Sequence, residues 1–367
     1  MEIVGAVLET TTEGPFSETR PIRICDLELA PPEPGEVLVR LEAAGVCHSD
    51  LSVVNGSIPK QLPMVLGHEA AGTVVEAGDG ETDLVPGDRV VMTFMPRCGS
   101  CRECATNGRL PCRSGASANR ACTLLGGGRR LGREGRQLYH HVGISAFADH
   151  AVVNRRSLVK VADDVPPFVA ALLGCAVLTG GGAILNVGQP AGDESVMVVG
   201  LGGVGVAAVL TALAIDCAHV IAVDVSAEKR ALARELGASV AVSPQEMAAK
   251  GLTADVVVEA AGSTRALETA LEGAAFGGRV VVVGLPAASS TAALPHARLV
   301  MNGQTVIGSY LGSAVPERDI PRYIELWRSG QLPVERLVSR RIELAEVNEA
   351  LDGLASGQQL RQIIDFR

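Results

Sequence analysis

Residues 195–205 read SVMVVGLGGVG, and this stretch decides the fold class. A short apolar run, Val196–Val199, leads into the spacing G-x-G-x-x-G, and an Ala-, Leu- and Val-rich segment of helical character follows from about Val204. Glycines in such a turn let the backbone approach a pyrophosphate, which sits at the positive N-terminus of the helix. The pattern therefore predicts a strand–turn–helix unit that binds a dinucleotide through Gly200, Gly202, Gly203, Val204 and Gly205.

The same rhythm continues downstream of this unit. Apolar runs recur at Val220–Val223, Val256–Glu259 and Val280–Val283, with a helical segment at about Ala227–Leu236. Runs of this kind are typical of parallel strands that are buried on both faces. Asp224 ends the second strand, 19 residues after Gly205 (224 − 205). A carboxylate there accepts hydrogen bonds from the adenosine ribose and repels a 2′-phosphate, which predicts NAD rather than NADP.

The first part of the chain, to about residue 160, has a different pattern. Short β-rich runs at Val37–Ala43, Ala70–Ala77 and Arg89–Met92 are separated by turn signals such as Pro34-Gly35 and Pro86-Gly87, which predicts a barrel-like or sandwich-like unit. After Tyr310 we expect two further helices and a last strand, at about Ile320–Arg328, Ala345–Leu354 and Gln362–Phe366. The Gly- and Arg-rich piece Gly126–Arg136 is interpreted as an exposed loop.

Four of the nine cysteines stand close together in the sequence, as Cys98, Cys101, Cys104 and Cys112. The spacing C-x2-C-x2-C-x7-C lets four thiolates converge on one Zn²⁺ with no open position, which predicts a structural zinc site. An iron–sulfur cluster is a weaker alternative, because its usual spacings differ and a proline commonly follows the last cysteine. Cys25, Cys122 and Cys217 match no ligand spacing and are interpreted as ordinary thiols.

A second set of metal-binding residue types is dispersed over the chain, as Cys47 in GVCHSD, His68 in LGHE and Cys175 in GCA. Two thiolates and one imidazole would leave a fourth position on zinc open, as in catalytic sites where the ion acts as a Lewis acid. Taken singly, a histidine or cysteine is more often a buried structural residue than a ligand.

Charge and composition exclude several classes of protein. The chain of 367 residues has 32 basic and 41 acidic residues, for a net charge of −9, and no run of Lys or Arg suited to a phosphate backbone, so nucleic acid is not an expected partner. The N-terminal MEIVGAVLETTTEG lacks the features of a signal peptide, which favours a cytosolic protein. The apolar stretch Ser195–Ile215 has the length of a membrane span, but its glycines favour a strand, a turn and a buried helix.

Taken in order, the motifs GVCHSD (45–50), LGHEAAGTVVEAG (66–78), VPGDRV (85–90), the four cysteines, GLGGVG (200–205), VDVSAEK (223–229) and LRQIIDF (360–366) resemble the zinc-dependent medium-chain alcohol dehydrogenases over essentially the whole chain. The resemblance implies an α/β protein with a GroES-like, β-rich catalytic domain at 1–176 and 311–367. It also implies a Rossmann cofactor domain with a doubly wound parallel sheet at 177–310. Two zinc ions per chain and NAD would be the cofactors, and the reaction would be reversible hydride transfer between an alcohol and NAD.

The resemblance also implies roles for individual residues. Cys47, His68 and Cys175 would be the catalytic zinc ligands, Ser49 would bond the substrate oxygen, and Asp50 and Glu69 would orient the ligands. Phe94 would line the substrate pocket. The cofactor would be held at its pyrophosphate by His48 and Arg361, at its adenosine ribose by Lys229 and at its nicotinamide by Thr179 and Val283.

Two features depart from the family pattern or leave it open. Many members have a histidine five residues beyond the first zinc cysteine that passes the proton to solvent, whereas this chain has Ser52 there. The substrate is not identified by Leu51–Val54 or Thr123–Arg136, so a glutathione-dependent formaldehyde dehydrogenase and a polyol dehydrogenase stay open beside an enzyme for a fairly apolar alcohol. The segment Gly115–His141 resembles the long loop of dimeric members, so a homodimer is expected.

Overall fold

The computed structural model describes residues 1–79 and 83–366 and divides into two compact units. The first unit comprises Met1–Cys175, Val315–Pro321 and Val338–Arg367, and the second comprises Ala176–Ala314 and Arg322–Leu337. The predicted boundaries, 1–176 with 311–367 against 177–310, differ from these units chiefly at 322–337. Arg367 itself lies outside the described residues.

Residues 322–337 group with the second unit because they pack on it. The ring of Tyr323 fills the space that a Cβ on Gly181 would need, at 2.6 Å. The side-chain amide of Gln331 donates to the carbonyl of Ala214 at 3.4 Å. These contacts tie the end of a C-terminal helix to the second unit.

The first unit is built mainly of short strands. In chain order its strands and helices are β1 Glu2–Leu8, α1 Phe16–Thr19, β2 Ile22–Leu29, β3 Glu36–Val46, α2 His48–Val54, β4 Met64–Val65, β5 Glu69–Ala77, β6 Arg89–Thr93, α3 Arg113–Ala121, β7 Leu131–Arg133, β8 Arg136–Gln137, β9 Tyr139–His140, β10 His150–Asn154, β11 Leu158–Val161 and α4 Pro167–Leu172.

The second unit alternates strands and helices. Its elements are α5 Leu178–Gly182, β12 Ser195–Val199, α6 Gly203–Ala214, β13 His219–Val223, α7 Ala227–Glu235, β14 Val240–Val242, α8 Pro244–Ala249, β15 Ala254–Glu259, α9 Thr264–Glu272, β16 Ala274–Val282, α10 His296–Met301 and β17 Thr305–Gly308. The rest of the chain adds α11 Pro316–Arg328, β18 Val338–Ile342, α12 Val347–Ala355 and β19 Arg361–Asp365.

The six strands of the second unit form one parallel sheet in the order β14-β13-β12-β15-β16-β17. Numbered within the unit this order is 3-2-1-4-5-6, which is the doubly wound dinucleotide-binding topology. The strand β12 is apolar along its length and fully buried from Val196 to Val198, because helices cover a parallel sheet on both faces. The predicted Rossmann fold is therefore confirmed.

Two sheets of largely antiparallel strands form the first unit. One has the order β8-β7-β2-β1-β4-β9, and the other has the order β11-β6-β5-β3-β19-β18, with β10 also paired to β3. The long strand β3 is the centre of the second sheet, since it pairs with β5, β10 and β19. The elements that carry the predicted zinc ligands all belong to this sheet or adjoin it.

The Gly- and Arg-rich segment 126–136 is not simply an exposed loop, as the sequence interpretation had it. Its second half forms the hairpin β7–β8, and β7 extends a sheet by pairing Leu131 with Leu29 of β2. The Arg130 guanidinium donates to the largely buried carboxylate of Glu36, with an Nε–Oε2 distance of 2.7 Å. A buried leucine and this ion pair fix the segment to the core.

Among residues 1–79 and 83–366, one helical run is long and apolar enough to cross a membrane, and it was not singled out from the sequence. It extends over Pro167–Gly188 and contains two π-helical stretches, Leu173–Val177 and Ala183–Gly188. Within its apolar window 89% of the residues are buried in the protein. It is therefore a core helix, and the stretch Ser195–Ile215 forms β12, a turn and α6.

Candidate active site and metal centres

The four clustered cysteines form a lobe whose sulfurs face one another. The Sγ atoms of Cys98 and Cys104 are 4.0 Å apart, and those of Cys101 and Cys112 are 3.8 Å apart. A tetrahedral zinc ion with Zn–S bonds of about 2.3 Å would separate two sulfurs by about 3.8 Å. The donor set and the spacing therefore fit one zinc ion with four thiolates.

The charges in the lobe also suit a cation. Burial raises the pKa of the Cys98 thiol, but hydrogen bonds from Ser100 and from backbone amides outweigh it and lower the pKa to about 5. Burial and the neighbouring thiols Cys101 and Cys112 raise the pKa of Cys104 to about 12. Thiolates this close repel one another, so all four ionise together only when a cation balances them.

The guanidinium of Arg97 binds several backbone carbonyls of the lobe. Arg97 donates to the backbone carbonyls of Glu103, Cys104 and Leu110, at 3.4, 3.0 and 3.4 Å. At the start of α3, the sulfur of Cys112 accepts from the amides of Cys98 and Gly115. The loop is thus closed by its own backbone groups.

The dispersed residues Cys47, His68 and Cys175 meet in a second cluster, together with Glu69. All four are buried, and their potential ligand atoms lie within 4.8 Å of one another. The Cys175 sulfur is 3.5 Å from His68 Nε2. Zinc bonds of about 2.3 Å to sulfur and 2.0–2.1 Å to nitrogen would place those atoms about 3.5 Å apart, so the set fits zinc.

Each of these three residues lies next to the end of a regular element. Cys47 follows β3 and caps α2, His68 precedes β5, and Cys175 lies in the π-helical stretch after α4. π-Helical turns are often found at functional sites, because the extra residue turns a side chain out of the regular helical register.

The cluster contains a buried ion pair. Arg361 Nε lies 3.3 Å from Glu69 Oε2, and both side chains are almost fully buried. The contact is outside regular hydrogen-bond geometry, so both Glu69 oxygens and Arg361 Nε lack a hydrogen bond among the described residues. Burial raises the pKa of Glu69 to about 7 although Arg361 opposes the shift. These unbonded polar atoms are consistent with a site completed by a charged group.

The two thiols of the cluster differ in acidity. A hydrogen bond with Cys175 lowers the pKa of Cys47 well below its usual value, and the charges of Arg361 and His68 lower it further. The same contact with Cys47, together with burial, raises the pKa of Cys175. Cys47 is thus the sulfur that ionises first.

Asp50 connects the segment that carries Cys47 with the segment that carries His68. Its Oδ2 accepts from the backbone amide of Cys47 at 3.0 Å, its Oδ1 accepts from the amide of Gly67 at 3.3 Å, and His68 Nδ1 is 3.1 Å from Oδ1. Burial opposes ionisation of Asp50, but His68 and His141 hold its pKa below the usual range. Because Asp50 contacts Nδ1 of His68, the other ring nitrogen, Nε2, faces the sulfur of Cys175.

The residues predicted near the substrate have the following positions. Phe94 is buried, and its ring meets that of His68 edge-on, with centroids 5.5 Å apart. Ser49 lies half-buried in the first turn of α2. The Ser52 hydroxyl donates to the carbonyl of His48 at 2.9 Å, so it lies back on its own helix.

Two further histidines, His140 and His141, were not among the predicted site residues. Both are buried. Nε2 of His140 accepts from the amide of Arg130 at 3.1 Å, and burial, with Arg130 and Arg129 nearby, lowers its pKa to about 3. His141 belongs to the surroundings of Asp50. The apolar residues that follow, Val142–Phe147, were a signal in the sequence that this segment enters the core.

The predicted cofactor residues of the second unit surround the start of α6. Gly200 has φ +94°, and a Cβ there would meet the Ala261 amide at 2.7 Å. A Cβ on Gly205 would meet the carbonyl of Gly200 at 1.8 Å. Gly202 caps the helix, and Gly203 and Val204 form its first turn. Only glycine fits at the first and last positions of this turn.

Asp224 directly follows β13 and lies beside the glycine turn. Its Oδ2 accepts from the Leu201 amide at 2.7 Å and its Oδ1 from the Ser226 amide at 2.8 Å. Lys229 lies in the first turn of α7, while Thr179 is buried in α5 and the Val283 amide donates to the carbonyl of Glu259. His48 and Arg361 belong to the other unit.

Comparison with known proteins agrees with both halves of this description. A family model described as the alcohol dehydrogenase GroES-like domain matches residues 33–163, and one described as zinc-binding dehydrogenase matches residues 203–329. An NDMA-dependent alcohol dehydrogenase from Amycolatopsis methanolica is 37% identical, over 95% of this chain and 96% of the relative. The chain belongs to the zinc-dependent medium-chain alcohol dehydrogenase family.

Solved structures of this family match the whole chain. A Burkholderia ambifaria alcohol dehydrogenase zinc-binding domain protein is 31% identical with a TM-score of 0.92, covering 100% of this chain and 99% of that one. Benzyl alcohol dehydrogenase from Acinetobacter calcoaceticus is 29% identical with a TM-score of 0.91 over 100% of both chains. The protein is thus an oxidoreductase with alcohol dehydrogenase activity.

Gly67, which precedes the histidine of the buried cluster, should be hard to replace. It has φ +90°, and a Cβ would meet the backbone amide of Phe147 at 2.7 Å. Gly87 has φ +97° with nothing within 4 Å of its Cβ position, so it is a matched control. We expect Gly87→Ala to cost about 1–2 kcal/mol from its positive φ alone, and Gly67→Ala to cost distinctly more. Chemical denaturation of both variants measures this, and equal losses would contradict the steric explanation.

Proposed function

We propose that this enzyme interconverts alcohols and their aldehydes or ketones with zinc as catalytic metal and NAD as hydride acceptor. The observation that carries the proposal is the convergence of Cys47, His68 and Cys175, from three distant parts of the sequence, into one buried cluster. With three protein ligands, one position of a tetrahedral ion is left for a substrate oxygen. The four-cysteine lobe has no such position and would hold the second, structural zinc.

The chemistry divides between the bound groups and the protein. Zinc held by these ligands would polarise the alcohol oxygen and lower its pKa, and NAD would accept hydride from the carbon. Ser49 takes the proton from the alcohol oxygen. Asp50 fixes the ring of His68, and Arg361 offsets the negative charge of the thiolates and of Glu69. Phe94 lines the apolar side of the pocket.

The proton leaves Ser49 by a route without the histidine that is common in the family. Ser52 stands at that position, and its hydroxyl already donates to the carbonyl of His48. A hydroxyl bonded in this way still has an acceptor site for a bridging water. We therefore propose that solvent completes the route.

The proposed cofactor contacts follow from the glycine turn and from family resemblance. The amides at the start of α6 would bind the pyrophosphate together with His48 and Arg361. Asp224 and Lys229 would bind the adenosine ribose, and Thr179 and Val283 would contact the nicotinamide end.

The substrate that we propose is a fairly apolar alcohol. Phe94 beside His68 offers an apolar surface close to the zinc position. The similar solved structure from Acinetobacter calcoaceticus is a benzyl alcohol dehydrogenase, which makes benzyl alcohol the first compound to test. The A. methanolica relative is described as NDMA-dependent, so assays should include NDMA as a second acceptor.

A substrate screen with two cysteine variants tests the function. We expect the wild-type enzyme to oxidise benzyl alcohol or another apolar alcohol with NAD, with or without NDMA, and to contain two zinc ions per chain. Cys47→Ala should abolish turnover and retain one zinc ion while NAD still binds, because it removes only an open-site ligand. Cys104→Ser should also lose one zinc ion but act chiefly on thermal stability.

The measurements are spectrophotometric rates on primary, secondary, aromatic and polyol alcohols, zinc by plasma mass spectrometry, and NAD binding by fluorescence. Wild-type turnover by Cys47→Ala would overturn the site assignment. A wild-type enzyme without turnover on any alcohol, with NAD or NADP and with or without NDMA, would overturn the function.

Asp224 is expected to decide the choice of cofactor. Its carboxylate would repel the 2′-phosphate of NADP, so Asp224→Ser should lower the ratio of kcat/KM for NAD over NADP by about tenfold or more. Asp224 also accepts a hydrogen bond from the Leu201 amide, and a serine side chain is too short to keep this bond. The thermal melting of the variant must therefore be recorded together with its kinetics. Unchanged discrimination in a stable variant would refute the ribose role.

We further propose that the enzyme is a cytosolic homodimer that pairs through the edge of the parallel sheet, with no nucleic acid or membrane as partner. The edge strand β17 exposes Val306, and close by Phe276 is 81% and Met301 75% exposed. The amide of Gly277 donates to the carbonyl of Asn302, which brings these apolar side chains to one edge. Unpaired apolar edges of this kind are usually covered by another chain, and a second copy is the simplest cover.

Val306→Asp should therefore convert a dimer to a monomer, because it places a charge in the apolar contact. Val85→Asp, at an exposed valine in the first unit, is the control and should leave the mass unchanged. Sedimentation velocity distinguishes the outcomes, and a wild-type monomer at micromolar concentration would contradict the proposal.

A further inference from the structure

A second imidazole lies beside the Asp50 carboxylate. Nδ1 of His141 is 3.3 Å from Asp50 Oδ1, the same oxygen that His68 Nδ1 approaches at 3.1 Å. The rings of His68 and His141 meet nearly perpendicular, with centroids 5.3 Å apart. All three side chains are buried. Asp50, His68 and His141 thus form a closed triangle on the side of His68 that faces away from Cys175.

The contact between His141 and Asp50 is weaker than the one between His68 and Asp50. It is at ion-pair distance, but Nδ1 of His141 makes no regular hydrogen bond among the described residues. Its effect is therefore one of packing and of a nearby N–H dipole. The edge-on ring blocks rotation of the His68 imidazole, and the dipole holds Oδ1 between the two rings.

The turn that carries His141 is strained. Val142 and Ser145 have φ of 45° and 58°, which is unusual for residues with a side chain and most of all for a β-branched one. The Ser145 hydroxyl accepts from the amide of His141 at 3.0 Å, and the Ile144 amide donates to the carbonyl of His141 at 3.0 Å. Strain of this kind costs about 1–3 kcal/mol for each residue and is typical of segments that position a functional group.

The same turn is bonded to the segment that carries His68. The amide of Ala146 donates to the carbonyl of Gly67 at 3.1 Å, and the amide of Phe147 donates to the carbonyl of Leu66 at 3.0 Å. His141 and His68 are thus held in register by backbone bonds. The two histidines are therefore connected by these backbone bonds, by the ring contact and by Asp50.

We propose that His141 is a positioning residue for the zinc ligand His68, acting through the edge-on ring contact and through Asp50. This inference rests on the proposed zinc site at Cys47, His68 and Cys175. His141 is not among the residues whose ligand atoms meet at the proposed zinc site, which are Cys47, His68, Glu69 and Cys175. It limits the orientations of the His68 ring, so that Nε2 stays directed at the metal, and outer partners of this kind affect metal affinity and turnover together.

A competing explanation is a third metal bound by Asp50, His68 and His141, whose ligand atoms also lie within 4.8 Å of one another. In that case His68 would bridge two ions through its two ring nitrogens. The wild-type enzyme would then contain three metal ions per chain instead of two, which would overturn the positioning role.

The test compares three variants. His141→Phe keeps a ring of similar size but has no N–H, His141→Asn restores a donor near the position of Nδ1, and His140→Phe replaces the adjacent buried histidine, which faces Arg130. For each, the measurements are thermal melting, zinc content, the rate of zinc release to a chelator, the electronic spectrum of the Co²⁺-substituted protein, and kcat and KM.

We expect His141→Phe to release the zinc at Cys47, His68 and Cys175 about tenfold faster or more and to shift the Co²⁺ spectrum. It should lower kcat by a larger factor than it changes KM. His141→Asn should recover part of each effect. If His141→Phe lowers the melting temperature, His140→Phe should lower it by a similar amount. The zinc release rate and the Co²⁺ spectrum of His140→Phe should stay at their wild-type values. Wild-type zinc release and an unchanged Co²⁺ spectrum in folded His141→Phe would overturn the inference, as would equal metal effects in His140→Phe.

These readouts separate the inference from the proposed function. Zinc release and the Co²⁺ spectrum report on the site whether or not the alcohols tested are the true substrates. A wild-type enzyme that binds zinc but oxidises no alcohol would contradict the proposed reaction and leave the metal comparison intact.

Discussion

The buried cluster around Cys47, His68 and Cys175 depends on the hydrogen bonds that the Asp50 carboxylate accepts. An ionised carboxylate in the interior is costly unless donors surround it. Asp50 has donors from two separate segments, the amide of Cys47 after β3 and the amide of Gly67 before β5, and it also contacts the ring of His68. Because the same carboxylate binds both segments, they cannot move apart without leaving a buried charge unsatisfied. Cys47 and His68 are therefore fixed relative to each other by the protein itself, before any metal contributes.

Close backbone packing around the ligands adds a second constraint. A glycine precedes each of the three proposed zinc ligands: Gly45 two residues before Cys47, Gly67 directly before His68, and Gly174 directly before Cys175. A Cβ at these positions would meet Glu69 Cδ at 2.9 Å, the Phe147 amide at 2.7 Å and the Met92 carbonyl at 2.3 Å. The glycines in the motifs GVC, GHE and GCA are thus explained by contacts with other elements. They let three segments approach closely enough for their ligand atoms to meet.

The proposed sites of the two units are built from different kinds of chemical group. The proposed cofactor site of the second unit consists chiefly of backbone groups at the start of a helix, which need only a tight turn, so it is local in sequence between Gly200 and Asp224. The first unit brings thiols, an imidazole and carboxylates together from distant positions, and the guanidinium of Arg361 offsets part of their negative charge. His140 and His141, at the end of the segment Gly115–His141, are also buried, and His141 lies beside Asp50. The departure at Ser52 concerns the proposed proton route and involves none of these groups.

The sequence predicts those features of the structure whose interactions are between residues close together in the chain. The glycine turn, the alternation of strands and helices and the four-cysteine lobe are local patterns, because their geometry is set within a few residues. They predicted the Rossmann sheet correctly and indicated the lobe as a candidate metal site. The family resemblance extended this to the fold of the first unit and to Cys47, His68 and Cys175 as candidates, with Asp50 and Glu69 expected to orient them. Only the tertiary structure showed that His141 lies against Asp50 and His68, that residues 126–136 contain a hairpin, and that residues 322–337 pack on the second unit. These features depend on contacts between residues far apart in the chain, such as those of His141 with Asp50 and of Tyr323 with Gly181. A linear pattern does not specify such pairs, since burial and neighbours are properties of the folded chain.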